Sequence, residues 1–175
     1  MIKKINTNSN SVLRKKADKV VPLKPNIITG NIIGEKISFW DNDVINHIQD
    51  LKDTAASYPD CVGLSSCQIW DIPSKNPLAI FVLKISVDGG KTFYWQEFIN
   101  PEISTYGDEI VASERCLSFP NYVGSIKRKK YCNIKFNLLN SIDKIEYNFN
   151  NDQMILFSIL IQHEYDHLQG KTIKK

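Results

Sequence analysis

The sequence predicts an α+β fold in which antiparallel sheets pack around one central helix near the carboxyl end. Three features lead to this prediction: an early segment with apolar residues at helical spacing, alternating segments joined by turn residues in the middle, and a late apolar run without proline or glycine. The 175 residues, 42% hydrophobic and 23% charged, have ordinary globular composition. Residues 1–175 are therefore expected to form a single domain.

The first helix is predicted over residues 41–56, with Asp41 or Asn42 as its N-cap. Its apolar residues recur every three or four positions, which is the spacing of one buried helix face. They are Val44, Ile45, Ile48, Leu51 and Ala55.

Four strands and one loop are predicted for the rest of the chain before the last helix. The strands alternate in polarity or are rich in β-branched and aromatic residues, and turn residues separate the members of each pair. The strands are residues 78–86 and 93–99, joined through Asp88-Gly89-Gly90, and residues 131–139 and 144–149; the loop is residues 22–36.

The last helix is predicted over residues 154–168, with Asp152 as the N-cap and Gly170 at a left-handed C-cap. Its first half is apolar almost all round, which is typical of a helix buried at the centre of a domain.

The pentad His163-Glu164-Tyr165-Asp166-His167 lies in the second half of this helix. Residues at i and i+4 share one helix face, so both imidazoles can bind one metal ion with Glu164 beside it. The alternative is a pair of hydrogen-bonded core histidines. Burying two unpaired rings would cost about 1–3 kcal/mol each, so the pattern favours a metal site of hydrolase type.

A catalytic site of this kind has three protein ligands, so one more is needed. Residues 171–175 contain no His, Asp, Glu or Cys, and the third ligand is expected upstream. Cys132 lies in a predicted strand, where a buried structural thiol is the default. No C-x-x-C pair occurs, and spacing alone does not choose among the candidates. They are Cys61, Cys67, Cys116, Cys132 and His47.

Three short motifs follow one another along the chain: residues 61–69 (CVGLSSCQI), 114–118 (ERCLS) and 163–170 (HEYDHLQG). They resemble the three motifs of the peptide deformylase family, GΦGLAAxQΦ, EGCLS and HExDHLxG, where Φ is hydrophobic. Residues 98–102 (FINPE) resemble the family as well. The resemblance covers essentially one whole domain, and the chain is identified as a divergent member of this family.

This resemblance implies a metal-dependent hydrolase that removes the formyl group from the N-terminal formyl-methionine of nascent polypeptides and releases formate. It implies Fe(II) as the metal, with nickel, cobalt or zinc as substitutes, whereas ligand softness alone would suggest zinc. Glu164 is implied as the general base, and the Gln68 amide and the Leu117 N–H as donors to the oxyanion. The implied metal ligands are Cys116, His163 and His167.

The resemblance also implies an apolar pocket for the methionine side chain. Glu114 is implied to lie beside the ligands in a charge pair with Arg128. The residues implied to form the substrate side of the site are Val62, Gly63, Glu114, Leu156, Ile159 and Leu160.

Several positions depart from the family pattern. Arg115 replaces a glycine beside the metal cysteine, which requires that the backbone there does not need positive φ and that the side chain points into solvent. The other departures are Cys61 and Trp70 in place of glycines, Ser65 and Ser66 in place of alanines, and Val123 where an arginine is frequent.

Two other functions stay open, and the departures at Arg115, Cys61 and Val123 suggest the second of them. A metallopeptidase with the same motif would cleave unformylated peptides and depend on zinc. A degenerate paralogue would bind peptides without turnover.

The net charge of +3 is too small to indicate a nucleic-acid substrate, and no DNA partner is expected. The basic residues 127–130 are expected on solvated faces, or in a weak contact with the ribosome. No apolar run is long enough to span a bilayer, and no leader is recognised at the start, so no membrane partner is expected. A metal thiolate suits a reducing compartment, and the cytoplasm is the predicted location.

Overall fold

Two α-helices and a five-stranded antiparallel sheet make up most of the regular structure of the described residues. The computed structural model describes residues 1–23, 40–86 and 88–174, so all but the first two residues of the loop predicted over 22–36 lie outside it. The helices are α1 (Asn42–Ala56) and α2 (Ile155–Leu168), and the strands are β1 (Gly63–Ser65), β2 (Ile80–Ser86), β3 (Phe93–Arg115), β4 (Val123–Asn137) and β5 (Lys144–Phe149).

The strands lie in the order β1-β2-β3-β4-β5, and each neighbouring pair is antiparallel. The prediction of more than one sheet is wrong for the described residues. A single sheet forms because β3 pairs with β2 through its first part and with β4 through the rest. It continues across two register shifts, at Ile99/Glu102 and Tyr106/Glu109, which bend the strand without ending it.

β3 and β4 are longer than the sequence pattern predicts. The predicted strands end at residue 99 and begin at residue 131, whereas β3 continues to Arg115 and β4 begins at Val123. Residues 104–109 are all exposed, so no alternation of apolar and polar side chains marks this part of the pair. The additional length of β3 positions Cys116, because the strand ends directly before this residue.

The side chains of β2 alternate between two hydrophobic clusters. Ile80 and Val82 belong to the cluster that contains the buried face of α1. Phe81 and Leu83 belong to the cluster that contains Ile161 of α2. Because successive side chains of a strand point to opposite faces, β2 lies between the two helices and is buried on both sides. Cys132 is fully buried in the second cluster, which confirms it as a core thiol.

The first helix agrees with its prediction. Asp41 is the N-cap, because its Oδ1 accepts a hydrogen bond of 2.9 Å from the Asp43 N–H. Four of the five predicted apolar positions, all except Ile45, are buried, and Ile45 packs against the same cluster.

The last helix agrees with its prediction in extent but not in burial. A short turn of 3₁₀ helix, Asp152–Met154, precedes it, and the side chain of Asn151 rather than Asp152 caps that turn. Gly170 has φ +71°, which confirms the left-handed C-cap. The expectation that the helix is buried all round is wrong for its first half, where Leu156 is 64% exposed, because these apolar residues border an open cleft.

His47 lies on the inner side of α1 and makes a structural contact. Its Nε2 is 2.8 Å from the Ser66 hydroxyl oxygen, and its ring meets the Trp70 ring edge to face at 5.3 Å. Burial lowers the pKa of His47 to about 4, and the carboxylates of Asp50 and Asp71, which raise it, only partly oppose this. The folded protein therefore holds this imidazole neutral where a free histidine would bind a proton.

We expect His47 to make folding less stable in mild acid. Between its usual pKa of 6.5 and about 4, the unfolded chain binds a proton at His47 and the folded chain does not, so the free energy of unfolding falls as the pH falls through this window. From pH 7 to pH 5 the loss from this residue is at most about 2 kcal/mol. His47→Gln should remove that part of the loss in urea denaturation at the two pH values. Equal pH dependence in the two proteins would contradict this.

Candidate metal centre and catalytic cleft

Cys116, His163 and His167 form a buried cluster of metal-binding side chains. Their ligand atoms all lie within 4.8 Å of one another. The Cys116 Sγ is 3.3 Å from the His167 Nε2, and the two imidazole rings lie 5.1 Å apart. A tetrahedral cation with bonds of about 2.3 Å to sulfur and about 2.0–2.1 Å to nitrogen holds its ligands at comparable separations. One thiolate and two imidazoles are also a donor set that suits a divalent transition metal.

The fold selects one of the five candidates for the third ligand. The end of β3 and the turn after it bring Cys116 over the histidine face of α2, although the two lie 51 residues apart in sequence. Within residues 1–23, 40–86 and 88–174, the metal-binding cluster contains none of the other four candidates.

A chain of buried ionic contacts orients His163. Its Nδ1 is 2.7 Å from the Glu114 Oε2, which leaves Nε2 as the free ligand atom. The Arg128 guanidinium donates to both oxygens of Glu114, at 2.6 and 2.9 Å, and to Asp166 at 2.5 Å. The predicted pair of Glu114 and Arg128 is thus confirmed. Glu114 contacts His163 through Oε2 and Arg128 through both oxygens, and it also borders the cleft, so the substrate contact predicted for it stays a prediction.

The charges around the cluster favour a cation. Burial alone would raise the pKa of Glu114, but the hydrogen bonds from Arg128 and His163 outweigh it and lower the pKa to about 2. Burial would likewise lower the pKa of His163, but its contacts with Cys116 and Glu114 raise it to about 10. Surroundings that stabilise a proton on His163 this strongly also stabilise a metal ion bound in place of that proton.

His167 is held neutral by its surroundings. Burial lowers the pKa of His167 well below its usual range, and the neighbouring His163 lowers it further. Its Nε2 points at Cys116, and its buried Nδ1 has no hydrogen-bond partner in the part of the chain that the structure describes. A neutral imidazole with Nε2 directed at a thiol is the form that binds a metal, so the three residues fit a divalent cation.

Glu164 lies beside the cluster, with 4% of its surface exposed. Burial raises the pKa of Glu164, and the nearby His163 and the Ser65 hydroxyl partly oppose the shift. Its Oε2 accepts a hydrogen bond of 2.6 Å from Ser65. Its Oε1 lies against Gly63, where an added Cβ would come within 2.6 Å of it. A raised pKa in a cleft beside a metal site suits a group that takes up and releases a proton.

Gln68 is buried and points its amide N–H groups at the cluster. Its Oε1 accepts a hydrogen bond of 2.8 Å from the Ser65 N–H, and its Nε2 lies 3.4 Å from the Cys116 Sγ and 3.3 Å from the Ser118 hydroxyl. Leu117 follows Cys116 in the turn after β3 and lines the same cleft as Gln68. These positions allow two N–H donors to face a reacting carbonyl.

A cleft of about 400 Å³ runs beside these residues. The predicted pocket residues all border it: Val62, Gly63, Leu156, Ile159 and Leu160, together with Glu114. Sequence reasoning did not predict Asp60, Ser113 and Pro120 as lining residues, and their polar or small side chains carry no pattern that would have indicated it.

The departures from the family pattern fit the structure without strain. Among the described residues, the one non-glycine with positive φ is Asn100, so the backbone of Arg115 does not need glycine. The Arg115 side chain is exposed at the rim of the cleft, opposite Val123 in the register of β3 and β4. The hydroxyl of Ser66 accepts from the Leu78 N–H at 3.1 Å and contacts His47, so this buried serine is also paired.

Comparison with known proteins agrees with the geometry. A family model described as polypeptide deformylase matches residues 2–175. The chain belongs to the polypeptide deformylase family. A peptide deformylase of Karelsulcia muelleri is 31% identical over 172 residues, which cover 98% of this chain and 76% of that protein. A peptide deformylase of Pseudothermotoga lettingae is 32% identical over 171 residues, which cover 97% and 80%.

The fold of this deformylase is shared with solved members. The crystal structure of peptide deformylase from Thermotoga maritima matches with a TM-score of 0.69 and 26% identity, covering 99% of this chain and 95% of that chain. The deformylase fold, an antiparallel sheet with a C-terminal helix, is thereby confirmed, as is the family predicted from the three motifs. The protein is a metal-dependent deformylase, which removes the N-formyl group from nascent peptides.

Replacing Gly63 by alanine should impair catalysis. The new Cβ would lie 2.6 Å from the Glu164 Oε1 and 2.7 Å from the Leu83 side chain, so the carboxylate must move. We expect kcat for formate release to fall about 100-fold, as for other small displacements of catalytic groups. Gly89→Ala, where φ is +70° but a Cβ meets no atom within 4 Å, is the control for backbone strain away from the cleft. A kcat in Gly63→Ala equal to that of the wild type would contradict the close approach.

Replacing Arg128 by lysine should weaken metal binding. Lysine keeps the charge but cannot hold both oxygens of Glu114 and also reach Asp166, so His163 loses its fixed orientation. We expect affinity for Ni²⁺ to fall about 10- to 100-fold in a competition titration with a chelator. Arg14→Lys, an exchange at an exposed arginine, should leave the affinity unchanged. Equal affinities in all three proteins would show that the ion pair does not position the ligand.

Proposed function

We propose that this deformylase uses Cys116, His163 and His167 as the ligands of one Fe(II) ion and Glu164 as the general base. The observation that carries the proposal is the convergence of the buried thiol and two imidazoles beside a buried carboxylate at the wall of an open cleft. We also propose that residues 1–175 act as one catalytic domain, which the family match over residues 2–175 supports.

The choice of Fe(II) rests on the family resemblance, with nickel or cobalt as working substitutes. The donor set by itself also suits zinc. A divalent ion held by these three atoms would supply Lewis acidity, which makes water a nucleophile near neutral pH and polarises the formyl carbonyl.

Glu164 moves the proton in this scheme. Its carboxylate accepts a proton from the attacking water and later delivers it to the amine nitrogen as the carbon–nitrogen bond of the formamide breaks. Formate and a peptide with a free amino terminus leave. The burial that raises the pKa of Glu164 supports this role, because a base for this cycle must also release its proton as an acid.

Gln68 and Leu117 stabilise the charge that develops on the formyl oxygen. The Gln68 Oε1 is anchored on the Ser65 N–H, which directs Nε2 toward the metal-binding residues. The Leu117 N–H makes no hydrogen bond over the described ranges, so it is free to donate. One such donor is typically worth about 2.7–4 kcal/mol of transition-state stabilisation.

The methionine side chain of the substrate lies in the apolar part of the cleft. Leu156, Ile159 and Leu160 project from one face of α2, and Val62 borders the same cleft beside β1. An aliphatic wall suits an unbranched thioether. In this scheme the half-exposed face of α2, which the sequence predicted as buried, forms one wall of the pocket.

Contact with the ribosome stays a prediction. Several basic side chains on which it rests are paired with carboxylates of the protein itself. Arg128 is turned inward, Lys127 pairs with Glu109, and Lys130 lies 3.5 Å from Asp108. The solvated position expected for the whole basic segment is therefore wrong for Arg128.

No helix in the described residues is long and apolar enough to cross a membrane. The cytoplasmic location remains a prediction.

Formate release from formyl-Met-Ala-Ser tests the proposal, with protein loaded anaerobically with Fe(II), Ni²⁺ or Zn²⁺. Glu164→Gln should keep the metal but lower kcat by about 10²–10⁴-fold, because it removes the proton acceptor. Glu146→Gln, the same exchange at an exposed carboxylate that pairs with Lys135, should have no effect. Cleavage of unformylated peptides would favour the metallopeptidase. Bound metal and peptide without turnover would favour the binding-only paralogue.

A further inference from the structure

Ser65 contacts two of the proposed catalytic side chains at once. It is the last residue of β1, lies opposite Phe81 of β2 and is fully buried. Its backbone N–H donates to the Gln68 Oε1, and its hydroxyl is 2.6 Å from the Glu164 Oε2. The first contact is available to any residue at this position. The second requires a hydroxyl, and the family motif has alanine here.

The hydroxyl proton goes to the carboxylate. The Ser65 oxygen also lies 3.0 Å from the backbone carbonyl oxygen of Glu164, but a hydroxyl has one proton to donate. The carboxylate contact is shorter, and hydrogen bonds to a charged acceptor are roughly twice as strong as those to a neutral one. In the described part of the chain, this is the one hydrogen bond that the Glu164 carboxylate makes.

The two oxygens of Glu164 consequently have different surroundings. Oε2 is held by Ser65, whereas Oε1 lies beside Gly63, and both Glu164 and Gly63 line the cleft. The terminal torsion of a glutamate side chain has a broad energy minimum, so without a partner the carboxylate plane is free to rotate. With Oε2 held by Ser65, Oε1 stays beside Gly63 at the wall of the cleft.

We propose that Ser65 is a positioning residue, whose hydroxyl fixes the plane of the Glu164 carboxylate so that Oε1 is presented to the reacting water. This inference rests on the proposed role of Glu164. The Ser65 hydroxyl acts only through that side chain and touches no substrate. The serine thereby gives this chain a hydrogen bond to its base that an alanine in the first motif cannot form.

Ser65→Ala tests the role with the metal-loaded protein, and it installs the residue that the family motif already accepts. We expect kcat for formate release to fall about tenfold, with KM for formyl-Met-Ala-Ser within about twofold of the wild type and with full metal content. Ser66→Ala removes the other buried hydroxyl of the same turn, which bonds to His47 and Leu78 and not to Glu164. It should reduce thermal stability and leave kcat unchanged.

A double-mutant cycle separates positioning from general loosening. If the hydroxyl acts through Glu164, Ser65→Ala should have little further effect on the residual activity of Glu164→Gln. A kcat in Ser65→Ala within twofold of the wild type would overturn the inference, as would an equal fall in Ser66→Ala or an undiminished effect in the Glu164→Gln background. A wild type that releases no formate would overturn the proposed function itself, which is a distinct result.

Discussion

The buried contact between Arg128 and Glu114 joins the three elements from which the site is built. Arg128 lies on β4, Glu114 lies near the end of β3, and Asp166 and His163 lie on α2. A buried carboxylate without its cation would be strongly destabilising, so each partner requires the other. The geometry of the metal ligands therefore depends on this pair. It sets the angle of the His163 ring and holds β3, which ends directly before Cys116, against the helix.

A second constraint acts on Glu164, the proposed general base, from strand β1. Gly63 and Ser65 are two residues of the short strand β1, and pairing with β2 sets their positions. The glycine makes room for one oxygen of Glu164 and the serine holds the other. The catalytic side chains thus sit between a rigid strand edge and an ionic network. Such rigid support is what preorganised catalysis requires.

Local sequence patterns predicted the features that neighbouring residues define. The cap and spacing of α1, the C-cap glycine after α2 and the short strand β5 were predicted because each depends on neighbouring residues alone. The full length of β3 and β4 was not predicted, because the exposed side chains of residues 104–109 carry no periodic signal. The first half of α2 was predicted as buried, because its composition does not reveal that a cleft, rather than packed protein, lies beside it.

The sequence by itself determined the chemistry available to this protein. On any helix that includes this segment, the two histidines share one face and the glutamate lies beside it, because the α-helical period is local. The tertiary structure decided which cysteine meets them and what holds the glutamate. Cys116 lies 51 residues from His167, and Ser65 lies 99 residues from Glu164. Contacts over such separations depend on how β1, β3 and α2 pack together, and no local pattern encodes that packing.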